Sequence, residues 1–160
     1  MKFNLLIEQL LESLDNPYPY QYSERDGGFI FFPDPNNQKV LYTVLMLEDP
    51  DYTHRLNVLF HYTDEDKNIQ GTTDMTGTGD AFRIMATVAK IVKEYLNSRS
   101  SNYYDIIQFE AKSSDHGRVV LYKRLAQKLK DQVLGPRWDL DVFRSKTNVT
   151  FELSRNHSVS

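Results

Sequence analysis

Apolar side chains at Phe3, Leu6, Ile7, Leu10, Leu11 and Leu14 recur every three or four residues until Asn16-Pro17 stops the pattern. That period predicts an amphipathic helix over residues 1–16, lying as a lid or along an edge of the fold. The pattern then shortens. Tyr20–Glu24, Gly28–Phe32, Val40–Glu48 and Leu56–Tyr62 are short runs rich in aromatic and β-branched residues, parted by Asp26-Gly27-Gly28, Pro33-Asp34-Pro35-Asn36-Asn37 and Asp49-Pro50-Asp51. They predict an antiparallel meander. In Val40–Leu47 both alternating faces are largely apolar, so this strand is expected to be central and covered on both sides.

Residues 64–79 turn polar, and a helix is predicted over Asp80–Leu96, where Ala81, Phe82, Ile84, Met85, Val88, Ile91, Val92 and Tyr95 are apolar nearly all round. A strand follows over Asp105–Ala111. A second helix over Arg118–Lys130 carries Leu121, Tyr122, Leu125 and Leu129 on one stripe, and strands over Trp138–Phe143 and Asn148–Leu153 close the chain, with residues 155–160 read as a frayed tail. The expected fold is α+β: a single domain, residues 1–160, with a mixed, mainly antiparallel sheet and helices on both faces.

Composition narrows the classes. At 160 residues and 40% hydrophobic content the chain suits one domain with a substantial core. No apolar run approaches the roughly 20 residues of a membrane span, and Glu8 and Glu12 interrupt what a signal peptide would need as an apolar core. A cytoplasmic protein is the expectation. There is no cysteine, which excludes disulfides, thiolate metal sites and a cysteine nucleophile. His54, His61, His116 and His157 show no ligand spacing, so no metal site is expected. The net charge of −3 conceals a split: residues 1–80 carry 5 Lys and Arg against 14 Asp and Glu, and residues 81–160 carry 14 against 8. Such asymmetry can mark an anion-binding half or an interaction face, and a sheet protein also often scatters sequence-local charge over its whole surface.

Two features carry candidate chemistry. Thr76-Gly77-Thr78-Gly79-Asp80 is a glycine turn running straight into a helix, where unpaired backbone N–H groups and the positive end of the helix dipole can hold a phosphate. Glycine also serves turns that bind nothing. The second feature is the basic helix bearing Arg118, Lys123, Arg124, Lys128 and Lys130, which could meet a phosphate or stand as a solvated face. Nucleic acid is disfavoured by the acidic balance and by the lack of a basic strand interleaved with aromatics. Asp64-Glu65-Asp66 reads as an exposed loop.

The meander, the turn Gly77-Thr78-Gly79 before a helix, and Asp115-His116-Gly117-Arg118-Val119-Val120-Leu121-Tyr122 after the next strand together resemble the GNAT acyltransferase superfamily over roughly residues 28–153. The resemblance implies that acetyl-CoA or another acyl-CoA binds between the strands at 56–63 and 105–111. Gly77, Thr78, Gly79 and Asp80, helped by Arg118, would cradle its pyrophosphate. Tyr122 would protonate the departing thiolate, and His61 would take a proton from an acceptor amine, with Glu48 and Glu110 as other bases. Asp74 departs from the family's Gln or Arg, and the family's first strand has no counterpart ahead of the opening helix. The element order, tyrosine content and lack of cysteine also resemble small tailed-phage proteins. The alternative function is a non-catalytic GNAT-like accessory or virion protein that binds a protein partner, in the host cytoplasm or in the virion.

Overall fold

The structure, a computed structural model, describes residues 16–72, 81–99 and 103–156. The helix expected over 1–16 lies outside the described residues except for its last position, and so do Asp74, Gly77, Thr78, Gly79 and Asp80. In chain order the elements are β1 (Tyr20–Ser23), β2 (Gly28–Phe31), β3 (Val40–Asp49), β4 (Tyr52–Asp64), β5 (Ile69–Thr72), α1 (Ala81–Asn97), β6 (Ile106–Lys112), α2 (His116–Leu129), β7 (Trp138–Arg144) and β8 (Asn148–Arg155). One wider helical turn, Lys130–Leu134, extends α2 and stops at Gly135, whose φ of 85° suits a residue without Cβ. The molecule is α+β, with one sheet in the order β1-β2-β3-β4-β6-β8-β7 and the short β5 added to β4. All pairings are antiparallel except β4 with β6. A parallel pair needs a long crossover, and α1 lies within the connection that supplies it.

Strand alternation explains the core. Val40, Tyr42 and Val44 of β3, Leu56, Val58, Phe60 and Tyr62 of β4, Ile107, Phe109 and Ala111 of β6, and Val149, Phe151 and Leu153 of β8 all turn to one face and are buried. Ile84, Met85, Val88, Ile91 and Val92 of α1 and Tyr122, Leu125 and Leu129 of α2 join the same core cluster. Both described helices therefore pack on one face of the sheet, where helices on both faces were expected. The second face of β3 is less covered than its sequence suggested: Leu41 and Leu45 are half-buried and Leu47 is 43% exposed. No described helix is long and apolar enough to cross a membrane.

Four rings stack through this core. Tyr18 lies on Phe31 (5.8 Å between centroids), Phe31 on Tyr42 (5.4 Å) and Tyr42 on Phe60 (5.0 Å), with an arginine over each end, Arg83 on Tyr18 and Arg118 on Phe60. Each such ring pair contributes about 0.5–1.5 kcal/mol beyond area burial. The segment before β1 is pinned to α1 as well. The Tyr18 amide donates to Thr87 Oγ1 (2.8 Å), whose own proton goes to the Arg83 carbonyl (2.7 Å), so a fully buried threonine is satisfied.

The polar stretch after β4 holds an unexpected strand. Asp64, read from sequence as part of an exposed loop, is 3% exposed: its carboxylate accepts the amides of Asp66 (3.1 Å) and Lys67 (3.3 Å) and the Tyr62 hydroxyl (3.2 Å). It builds a turn closed by Asn68 at φ 53°, a conformation asparagine tolerates, and the chain returns as β5. At the other end of the sheet, β8 runs past Leu153 to Arg155, which stacks over Trp138 and donates its amide to the Asp105 carbonyl at 2.8 Å.

Gly28 gives the sharpest test of this packing, since a Cβ there would stand 2.5 Å from the Val44 carbonyl oxygen and 2.7 Å from Leu45 Cδ2. Gly28→Ala should cost about 2 kcal/mol, in the range for overpacking, read as a lower midpoint in chemical denaturation. An unchanged midpoint would mean that β2 does not lie against β3 as described.

Candidate functional site

The pairing of β4 with β6 covers only Arg55 with Ile106 through Val58 with Phe109. Both strands continue. β6 goes on to Lys112, held by β8 alone, and β4 goes on to Asp64, held by β3 on one edge. On its other edge, the one β6 leaves, β5 takes up pairing only at Tyr62 and Asp64. Over Leu59–His61 that edge has no strand beside it among the described residues. Backbone groups exposed inside a fold must find other partners.

Arg118 meets that gap. It sits in the first turn of α2, where Asp115 is the N-cap and accepts the Arg118 amide at 3.1 Å, an arrangement contributing on the order of 1 kcal/mol. The spacing 118, 122, 125, 129 puts Arg118 on the same stripe as Tyr122, Leu125 and Leu129, so its guanidinium is carried into the core with them. Only 2% of it is exposed. Nη1 donates to the Phe60 carbonyl at 3.4 Å, Nε lies 3.4 Å from an Asp115 carboxylate oxygen, and the group stands 5.7 Å from the centroids of both the Phe60 and Tyr122 rings. Its Nε and Nη2 make no hydrogen bond. A buried donor left unpaired costs about 1–3 kcal/mol, and more when charged, so the fold carries a penalty here that packing alone does not require.

Tyr122 is one helical turn further on, 4% exposed, its ring 5.9 Å from that of Phe109 on β6. Burial pushes its phenol above the ordinary tyrosine value and the Arg118 charge pulls it back in part, so it stays protonated at neutral pH. His61 belongs to the stretch of the β4 edge with no strand beside it among the described residues, but it alternates with Phe60 and Tyr62 and so projects from the face of the sheet away from the described helices. Its imidazole is held below the usual value, first by burial and then by the Arg118 charge, and is neutral at pH 7.

Of the residues singled out from sequence, the structure gathers Arg118, Tyr122 and the backbone next to His61 at one place. Glu48 lies at the far end of the β3–β4 pair, where it accepts the Tyr104 hydroxyl at 2.9 Å, and Glu110 is exposed on β6. Arg118, expected on a basic helix as a partner for phosphate, is buried, and its spacing with Tyr122 is the sequence sign that it belongs to the buried stripe. Phe60 was missed as a site residue. Its carbonyl matters because a strand ends beside it, which no local pattern encodes. Among the described residues no group of three or more His, Asp or Glu could hold a metal ion.

Compared with known proteins, the chain matches no family model and no curated protein. Its reading therefore stands on the site itself.

The electrostatic coupling can be measured directly. In an NMR titration the His61 ring should lose its proton below the usual imidazole range, and Arg118→Met should move that midpoint up. The sign follows for folding: as pH falls past the ordinary imidazole value the unfolded chain binds a proton before the folded one, so His61 subtracts stability there, and less so in the variant. A His61 midpoint unmoved by Arg118→Met would show that the guanidinium does not face β4.

Proposed function

We propose that this chain is an acyl-CoA-dependent N-acyltransferase that moves an acetyl or related acyl group to an amine on a GNAT-like scaffold. The observation that carries this reading is the parting of β4 and β6 beyond Val58 and Phe109, with a protonated buried phenol and a guanidinium with two unbonded nitrogens beside it. Parted strands would give a thin pantetheine arm a path to the sheet's centre and backbone groups to bond.

Each residue then has a chemical task. The acyl-CoA supplies the acyl group as a thioester. Tyr122 donates its proton to the sulfur as the carbon–sulfur bond breaks, and the Arg118 charge favours the negative charge that develops there. His61, neutral, takes the proton that the amine nitrogen sheds as the new amide bond forms, reaching it from the other side of the β4 edge. Gly77, Thr78, Gly79 and Asp80, outside the described residues, take the pyrophosphate in this reading, with helix α1 behind them.

A second reading, a non-catalytic protein that binds a protein partner, is favoured by the outer edge of the sheet. β7 has no strand on its outer side among the described residues, and Val142 (39%) and Phe143 (54%) are exposed there. The acyltransferase reading is preferred because it accounts for the buried charge, which a docking edge some strands away leaves unexplained.

Calorimetric titration with acetyl-CoA should give saturable binding, lost in Gly79→Trp. Tyr122→Phe should keep that affinity and lower kcat by about 10²–10⁴-fold, the usual weight of a positioned acid. No heat and no rise in Tm at millimolar acetyl-CoA would defeat the proposal.

A further inference from the structure

The guanidinium of Arg118 is built for more than the cofactor's thioester. Two of its nitrogens, Nε and Nη2, are buried without a hydrogen bond, and Asp115, which caps α2 through Oδ1, brings its other oxygen only to within 3.4 Å of Nε. Arg55 and Arg155 are better served: Arg55 donates to Asp49 at 3.3 Å, and Arg155 donates to the Tyr104 carbonyl at 3.2 Å while stacking on Trp138. Both are also less buried. Arg118 alone is enclosed between two rings at the gap in the sheet. A planar fork of N–H donors in a site of low dielectric matches a planar two-oxygen anion, and that is a carboxylate.

The position tells which reactant bears it. Arg118 stands against Tyr122, the residue assigned to the leaving sulfur, and both lie on the helix side of the sheet. His61, assigned to the amine, projects from the other side. The phosphates of CoA are separated from its thioester by the full pantetheine arm and do not reach this depth. We infer that the acyl group itself carries a carboxylate, as a short dicarboxylic acyl unit does, and that Arg118 reads it. This inference rests on the acyl-CoA reading of the same site. It also gives the buried charge a purpose, because a substrate lacking the carboxylate leaves Nε and Nη2 without a hydrogen bond and is disfavoured on that account.

The test is calorimetric titration of the full chain with CoA, acetyl-CoA and succinyl-CoA, with thermal unfolding in free succinate alongside. Succinyl-CoA should bind at least tenfold more tightly than acetyl-CoA. Arg118→Met should erase that difference while keeping the affinity for CoA, and Arg118→Lys, which keeps the charge without the fork, should restore part of it. Equal affinities in the unaltered protein, or a preference that survives Arg118→Met, would overturn the inference and leave the acyl-CoA reading standing. If no CoA compound binds but succinate raises Tm in the unaltered protein and not in folded Arg118→Met, the carboxylate site stands and the acyl-CoA reading falls. If succinate also does nothing, both fall.

Discussion

The arrangement of this molecule depends on where two parallel strands stop pairing. β4 and β6 share four register positions and then separate, yet each is too well held by its other neighbour, β3 and β8, to bend back and close the sheet. The separated edge of β4 cannot be left bare inside the protein. β5 covers its end and the Arg118 guanidinium reaches its middle at Phe60. A positive charge thus stands in the core beside an edge that no strand covers among the described residues.

The surrounding packing holds that charge in place. The ring stack from Tyr18 to Phe60 runs across β2, β3 and β4 and ends under Arg118, while Tyr122 closes the opposite side and itself rests on Phe109. α2 is fixed by its Asp115 cap and by Leu125 and Leu129 in the core. Rotating the guanidinium away would uncouple a ring on a strand, Phe60, from a ring on a helix, Tyr122. Such overdetermination is what a preorganised site needs, and it is bought with an unsatisfied donor that ligand binding can relieve.

Much of the scaffold was legible because its signals are local. The apolar period of α1 and the aromatic, β-branched runs of β2, β3 and β8 sit within two or three residues of their observed bounds. What escaped depends on partners distant in the chain. Tyr52–Arg55 lies outside the strand expected over Leu56–Tyr62 yet extends β4, since β3 and β6 both offer it an edge. β5 has no hydrophobic pattern and exists through Asp64, which turns the chain back onto β4. Arg118 looked like surface because basic residues surround it in sequence, although its spacing from Tyr122 and Leu125 already placed it on the buried stripe. Gly77–Asp80, the feature most visible in sequence, lies outside the described residues, so the site rests on Arg118, Tyr122 and the β4 edge.

The central claim, that the parted strands form the binding site, is tested most directly by amide hydrogen exchange with and without millimolar acetyl-CoA. The account expects slower exchange in Leu59–Asp64 of β4 and from Glu110 into the first turn of α2, with β1, β7 and β8 unchanged. Slowing confined to β7, or no change at all in the β4 segment at saturating ligand, would contradict it.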